Sequence, residues 1–283
     1  MFLCDDAVER AQPPMTSSTA DQRYLQTLID PIRVCASYKP KMGQGVNAGL
    51  SLEEFQALYR ADPFYAWYGL DHPMMYAAHK AAGGMTSVYR QIGIGVERLF
   101  RLLLQDHLGL SVAESEWSYE TKSSGGKSRT LHLDGRIELD AVSDPAARRR
   151  VKGWMNAAAV ELGVAAAVRR SLKGAVFEVR QGYKSKDSKR QNADIANAST
   201  AYTRAYLPCV VVLSTQIDTD IVTRYRNEQW AILIGSVTEP SPILSTYSFI
   251  REVVGFDLTS FFSRNSSTLR TEVDRVLHAL LSP

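Results

Sequence analysis

Cysteine is scarce in this 283-residue chain, and the three present, Cys4, Cys35 and Cys209, are odd in number and far apart. That argues against a disulfide framework and a thiolate zinc site. Histidine is equally thin: His72, His79, His107, His132 and His278 include no pair at zinc-finger spacing, so any metal is expected to be oxygen-ligated. Long apolar runs are missing. A stretch such as Val210 to Leu213 falls far short of the roughly 20 residues a membrane helix needs. The opening segment MFLCDDAVERAQPPMTSS has no cationic leader before an apolar stretch, so no signal peptide is expected and cytoplasmic residence is the default. Neither internal repeats nor low-complexity tracts occur, which sets solenoids and propellers aside.

What is present is ordinary globular composition, 45% hydrophobic and 22% charged, enough for one large domain or two small ones. The net charge of +3 becomes informative once divided along the chain. Positions 144–190 hold twelve bases against four acids, an excess of eight that leaves a deficit of five elsewhere. Such a basic stretch is the footprint of a bound polyanion, or else a solvated helix face.

Proline and glycine punctuate the first 50 residues, which read as an irregular arm. Ser51 to Glu54 is a capping box opening a short helix to about Tyr59; a second follows Pro73 and stops at Gly83-Gly84. Over 86–108, Ile92, Val96, Leu99 and Leu103 form one stripe of a buried helix, with Glu97 on its flank beside Gly93 and Arg101. The two glycines Gly93 and Gly95 suit a close backbone neighbour. The period then shortens to two: WSYET and the loop KSSGGKS predict a strand and hairpin turn, and Leu131 to Leu139 alternate apolar with polar residues as one strand.

Asp144 as N-cap and Pro145 at the first position open a helical region to about Leu172, breaking near Gly163, with Gly174 as its C-cap. Strands are predicted at 175–180, 209–214 and 230–236, the middle one buried on both faces, with helices between them and Pro208 ending the first of these helices. The tail from Ser245 to Leu281 reads as helical. The expected fold class is α/β: a central mixed β-sheet flanked by helices, with helical N- and C-terminal parts. It divides into an arm and short helices over 1–85, a core over 86–240 and C-terminal helices over 241–283, packed together as one compact unit.

In the strand AVFEVR, the two-residue period places Val176, Glu178 and Arg180 on one face and Phe177 and Val179 on the other. Asp134 stands 44 residues earlier on the polar side of another strand. Two carboxylates on adjacent strands with a cation between them suit Mg²⁺, which shares its oxygen shell with water and phosphate. The cation can orient attacking water and offset charge in a phosphoryl transition state.

An aspartate, then a hydrophobic strand bearing Glu-x-Arg in place of Glu-x-Lys, then a helix and another buried strand resembles the PD-(D/E)XK nuclease superfamily, and within it the type II restriction endonucleases. FEVRQGYKSKDSKRQNADI (177–195) carries most of the likeness, and TSVYRQIGIGVERLFR (86–101) resembles the helix that supplies an additional glutamate. The resemblance implies a restriction-endonuclease-like core over 86–236 and a homodimer cutting double-stranded DNA at specific palindromes with Mg²⁺. It assigns Asp134, Glu178 and Arg180 as catalytic, and Asp134, Glu178 and Glu97 as metal ligands. The motif's usual lysine is replaced by Arg180, whose guanidinium stays protonated, and its proline by Leu133. Lys184 or Lys186 could bend back to serve as the lysine.

DNA contacts are expected from Gln181, Lys184, Lys186, Asp187, Lys189, Arg190 and Asn192, with Gln181, Gln191 and Asn192 as amides able to read bases. Plainer readings stand beside these. Asp134-Gly135 also fits a hairpin turn, which would make Asp140 the first acid. Glu178 and Arg180 also fit an ion pair on an exposed sheet, Glu97 an ordinary helix flank, and the amides capping groups. Arg148 to Lys152 form a solvated or phosphate-facing patch, and Phe64, Tyr65, Trp67 and Tyr68 local core. A repair or recombination nuclease of the same fold and a non-catalytic DNA-binding protein are the competing functions.

Overall fold

A computed structural model describes residues 17–42, 48–122, 128–182 and 199–283. The helices are α1 (Ser17–Arg33), α2 (Leu52–Ala61), α3 (Pro63–Trp67), α4 (Pro73–Leu108), α5 (Val112–Ser115), α6 (Pro145–Glu161), α7 (Ala166–Ser171), α8 (Thr219–Asn227), α9 (Thr246–Phe249) and α10 (Leu258–Leu281). The strands are β1 (Trp117–Lys122), β2 (Ser128–Leu133), β3 (Gly135–Glu138), β4 (Gly174–Arg180), β5 (Tyr206–Val212) and β6 (Ala231–Leu233). β1 and β2 pair antiparallel by themselves, whereas the four-stranded sheet runs β3-β4-β5-β6, antiparallel at its first pair and parallel after it.

The fold is thus a mixed sheet flanked by helices, and its faces follow from the two-residue period. Phe177, Val179, Cys209 and Val211 pack toward α4 and α6, while Val176, Val210, Val212 and Ile232 pack against Trp117, Leu133, Ile221 and Tyr225. Burial on both faces explains why β5 is apolar throughout. It also pushes the Cys209 thiol up, leaving that sulfur an inert part of the core.

Capping chemistry sets several helix starts. Ser51 and Glu54 exchange bonds of 3.2 and 2.7 Å at α2, and Asp144 accepts from Ala146 and Ala147 N–H at 3.2 and 2.8 Å at α6. α6 ends near Gly163, whose φ of 67° needs glycine, and α7 follows as a separate turn.

Several expectations are corrected. The irregular arm contains α1, a 17-residue helix with Pro31 in its last turn. Tyr24, Leu28 and Ile32, spaced by four, bury one stripe, and the bidentate Arg33–Glu272 bonds at 2.9 and 2.8 Å tie α1 to α10. Gly83-Gly84 does not end a helix: α4 runs 36 residues through the pair, so the division near 85 falls inside one element. A Cβ on Gly84 would lie 2.4 Å from Leu280 Cδ2, and one on Gly83 2.0 Å from the Tyr38 hydroxyl. The glycines are contact surfaces for other segments. Gly95 behaves likewise against the α1 backbone, whereas Gly93 faces open space.

Gly174 opens β4 in place of capping a helix, and Pro208 lies inside β5. Leu213 donates to the Arg180 carbonyl, so odd residues of β5 donate toward β4, and β6 pairs only from Cys209 onward. The N–H that proline lacks therefore removes no ladder bond. The tail is broken by a π-helical turn, Ile250–Val254, and by Gly255 at φ 101°. The α3 aromatics are surface groups: Trp67 is 83% exposed, and the local core beneath is Leu50, Phe55 and Tyr76.

Two predictions arise here. A Cβ at Gly174 would stand 2.2 Å from the Ile137 carbonyl oxygen, a backbone atom that cannot swing away. Gly174→Ala should lower unfolding free energy by about 1–3 kcal/mol, read from urea midpoints; an unchanged midpoint would contradict this β3–β4 spacing. Glu272 is held below the usual carboxylate range chiefly by its hydrogen bond from Arg33, against a smaller opposing effect of burial. Its stabilising contribution is present above the unfolded carboxylate value and is lost as pH falls through the depressed folded one. Melting temperatures recorded from neutral pH to about pH 3 should therefore fall less steeply in Glu272→Gln than in the wild type.

Candidate active site

The alternating stretch 131–139 is two strands, because Asp134 breaks it. β2 ends at Leu133, paired with Trp117, and β3 begins at Gly135, paired with Phe177, so the chain leaves one sheet and joins the other at Asp134. Gly135 has no positive φ, which excludes the type I′ hairpin reading. Its missing Cβ matters for packing instead: a methyl there would meet Phe100 of α4 at 2.9 Å.

The antiparallel register begins with Gly135 opposite Phe177, which brings Asp134, the residue before it, to the Glu178–Val179 part of β4. An independent contact agrees: Asp134 Oδ2 accepts the Val179 N–H at 2.8 Å. This bond extends the β3–β4 ladder through a side chain, and a carboxylate retains further acceptor capacity after it. The Asp134 carbonyl in turn accepts from Arg101 Nη1 at 3.1 Å, fastening the bend to α4.

Glu178 is 8% exposed and forms an ion pair with Arg180 two residues along the same strand face. The alternative of an exposed sheet pair is excluded, since the two side chains are only 10% and 12% accessible. The pair stands beside apolar Val176, Val210 and Val212, where low dielectric strengthens every charge interaction. A pair this buried holds its geometry at the cost of desolvation, so it is weak evidence for stability.

The other sequence-derived candidates distribute differently. Glu97 lies on α4 one turn before Arg101, the residue that reaches Asp134. Among the described residues, no group of three or more His, Cys, Asp or Glu side chains is placed to hold a metal, so Glu97 does not complete a three-carboxylate set with Asp134 and Glu178. Asp140 follows β3, and Glu138 pairs with Gly174, so Asp140 stands at the opposite end of the β3–β4 pair from Glu178.

Gln181 continues β4 on the α4 side, lining an apolar cavity of about 250 Å³ with Leu28, Val96, Leu213 and Phe262, and so turns away from the Glu178 face. Lys184, Lys186, Asp187, Lys189, Arg190, Gln191 and Asn192 lie outside the described residues. Of the basic stretch, Lys152, Arg169, Arg170 and Lys173 gather at the start of β4, not around Glu178. Arg101 was not among the expected site residues. Its spacing of four from Glu97 was the available signal, but a lone arginine on a helix carries no chemistry until the bend at Asp134 is placed beside it.

Comparison with known protein families, curated proteins and solved structures gives no match. No helix among the described residues is long and apolar enough to cross a membrane.

Proposed function

We propose that the chain is a Mg²⁺-dependent endonuclease acting on double-stranded DNA, of the type II restriction class within the PD-(D/E)XK superfamily. The observation that carries this reading is the juxtaposition of Asp134, at the start of β3, with Glu178 on β4, and Arg180 bonded to Glu178. Two carboxylates suit Mg²⁺, which commonly takes one or two from the protein and the rest of its shell from water and substrate phosphate. When bound, the metal supplies Lewis-acid stabilisation of the phosphoryl oxygens and lowers the pKa of attacking water.

Asp134 and Glu178 would hold that cation. Arg180 would point its planar donors to the scissile phosphate or the water; because it stays protonated, it positions and does not abstract a proton. Arg101 steadies the backbone of Asp134. Lys184 to Arg190 grip the duplex, and a second copy supplies the matching half-site. The homodimer rests on the resemblance alone.

One observation favours a second reading. The Glu178–Arg180 ion pair neutralises the carboxylate a metal would need, as in a DNA-binding protein that has lost its chemistry. Plasmid DNA with Mg²⁺ separates the two. Discrete fragments support restriction, and cuts confined to junctions or damaged structures point to a repair enzyme of the same fold. If neither the wild type nor Arg180→Lys cuts any DNA that both bind, the nuclease reading fails.

A further inference from the structure

Away from the Asp134–Glu178 pair, a cavity of about 460 Å³ opens between α6, α7 and the turn after β3. Lys152, Arg169, Arg170 and Lys173 surround it, with Asp140 as the one carboxylate and Asn156 as the one amide of its lining. Leu139, Met155 and Leu172 form an apolar part of the wall, and Met155 is fully packed beneath.

Two of the cations are held in place. Arg169 Nη1 donates to the Val164 carbonyl at 2.7 Å, while Lys173 Nζ lies 3.6 Å from Glu138 Oε1 and 4.9 Å from the Tyr206 ring centre. Lys152 and Arg170 form no ion pair among the described residues. Four cations against the carboxylates of Asp140 and Glu138 leave an excess of two positive charges around the concavity, and its partly apolar wall focuses their potential inward. A bound anion offsets that excess.

We infer that this cavity binds a small organic phosphate, of the nucleoside phosphate class. Its size falls within the range of ligand pockets, about 300–1,000 Å³. The arginine forks match phosphate bidentately and the lysines add charge. Leu139, Met155 and Leu172 accept a flat apolar ring, and Asn156 and Asp140 provide donor and acceptor groups for base or sugar. A phosphodiester backbone would use the cations but leave the apolar wall without a partner. Five residues of extended chain separate Lys173 from Glu178, about 17 Å, so this is a second site and stands apart from the nuclease reading.

Calorimetric titration of the full chain with ADP, in the absence of DNA, tests the inference. ADP should bind saturably at one site per chain and pyrophosphate more weakly. Lys152→Gln/Arg170→Gln, at two exposed positions, should weaken ADP by at least about tenfold while leaving the melting temperature of the free protein unchanged. Absence of saturable ADP binding up to millimolar concentration overturns the inference, as does ADP affinity unaltered in the double variant. Pyrophosphate binding as tightly as ADP removes the organic part of the ligand and overturns the class. Loss of DNA affinity in the variant with no ADP binding by the wild type reassigns the cavity as a backbone contact and also overturns it.

Discussion

Glu178→Ala should lower Mg²⁺-dependent cleavage of DNA by at least about 10³-fold, some 4 kcal/mol of transition-state stabilisation. The residue is one of two carboxylates brought together where β3 meets β4, and its removal leaves Asp134 as the one carboxylate of the pair. A second effect accompanies the first. Arg180 is 12% accessible at its side chain and loses its bond to Glu178, so the fold should also be destabilised, by about 1–3 kcal/mol. The two effects are separable by measuring cleavage at a temperature where circular dichroism shows the variant folded, and DNA binding with Ca²⁺ in place of Mg²⁺. Cleavage near the wild-type rate in the folded variant would remove Glu178 from the site. Glu178→Gln should behave alike in cleavage, since the amide keeps the volume but offers a metal no charge.

The second large effect lies one residue away, on the opposite face of the same strand. Phe177 is fully buried, with ring centroids of Phe100, Trp154 and Phe249 at 5.2, 6.0 and 5.8 Å. Phe177→Ala should cost about 3–5 kcal/mol, because α4, α6 and α9 meet on that ring and cannot all collapse into the space it leaves. Urea unfolding reads this directly. A loss below about 1 kcal/mol would mean that α4 and α6 do not converge on the sheet here. Because α4 also carries Arg101, bonded to the Asp134 carbonyl, loosening this contact is expected to reach the candidate site as well.

Much of the local structure was legible from short-range rules. The capping residues Ser51 and Asp144 open helices because their side-chain oxygens meet otherwise unsatisfied N–H groups, a requirement independent of tertiary context. Alternation in AVFEVR separates Phe177 from Glu178, and the unbroken apolar run of CVVVLS matches a strand covered on both sides. The buried stripe of α4 follows from a period of 3.6, and the break near Gly163 from the glycine there.

Where these rules misled, a partner from a distant part of the chain had changed the meaning of a residue. Gly83-Gly84 looked like a stop because glycine weakens a helix, but α10 and the segment carrying Tyr38 pack where side chains would be. Prolines around α1 suggested an arm, yet burial of Tyr24, Leu28 and Ile32 against α4 and α10 outweighs the cost of Pro31. The α3 aromatics sit on a short surface helix that leaves them outside.

By itself the sequence determined the chemistry available and the side of β4 on which each group stands, since both depend on residue type and a period of two. It also set the class, a mixed sheet with helices around it. Only the tertiary structure decided which aspartate faces Glu178: strand register is a long-range pairing, and it places Asp134 beside that residue and Asp140 at the other end. It likewise set four of the bases apart, because α6 and α7 bring Lys152, Arg169, Arg170 and Lys173 around a single cavity remote from Glu178. Charge counted along a chain is additive, whereas the field it makes depends on where folding puts each charge.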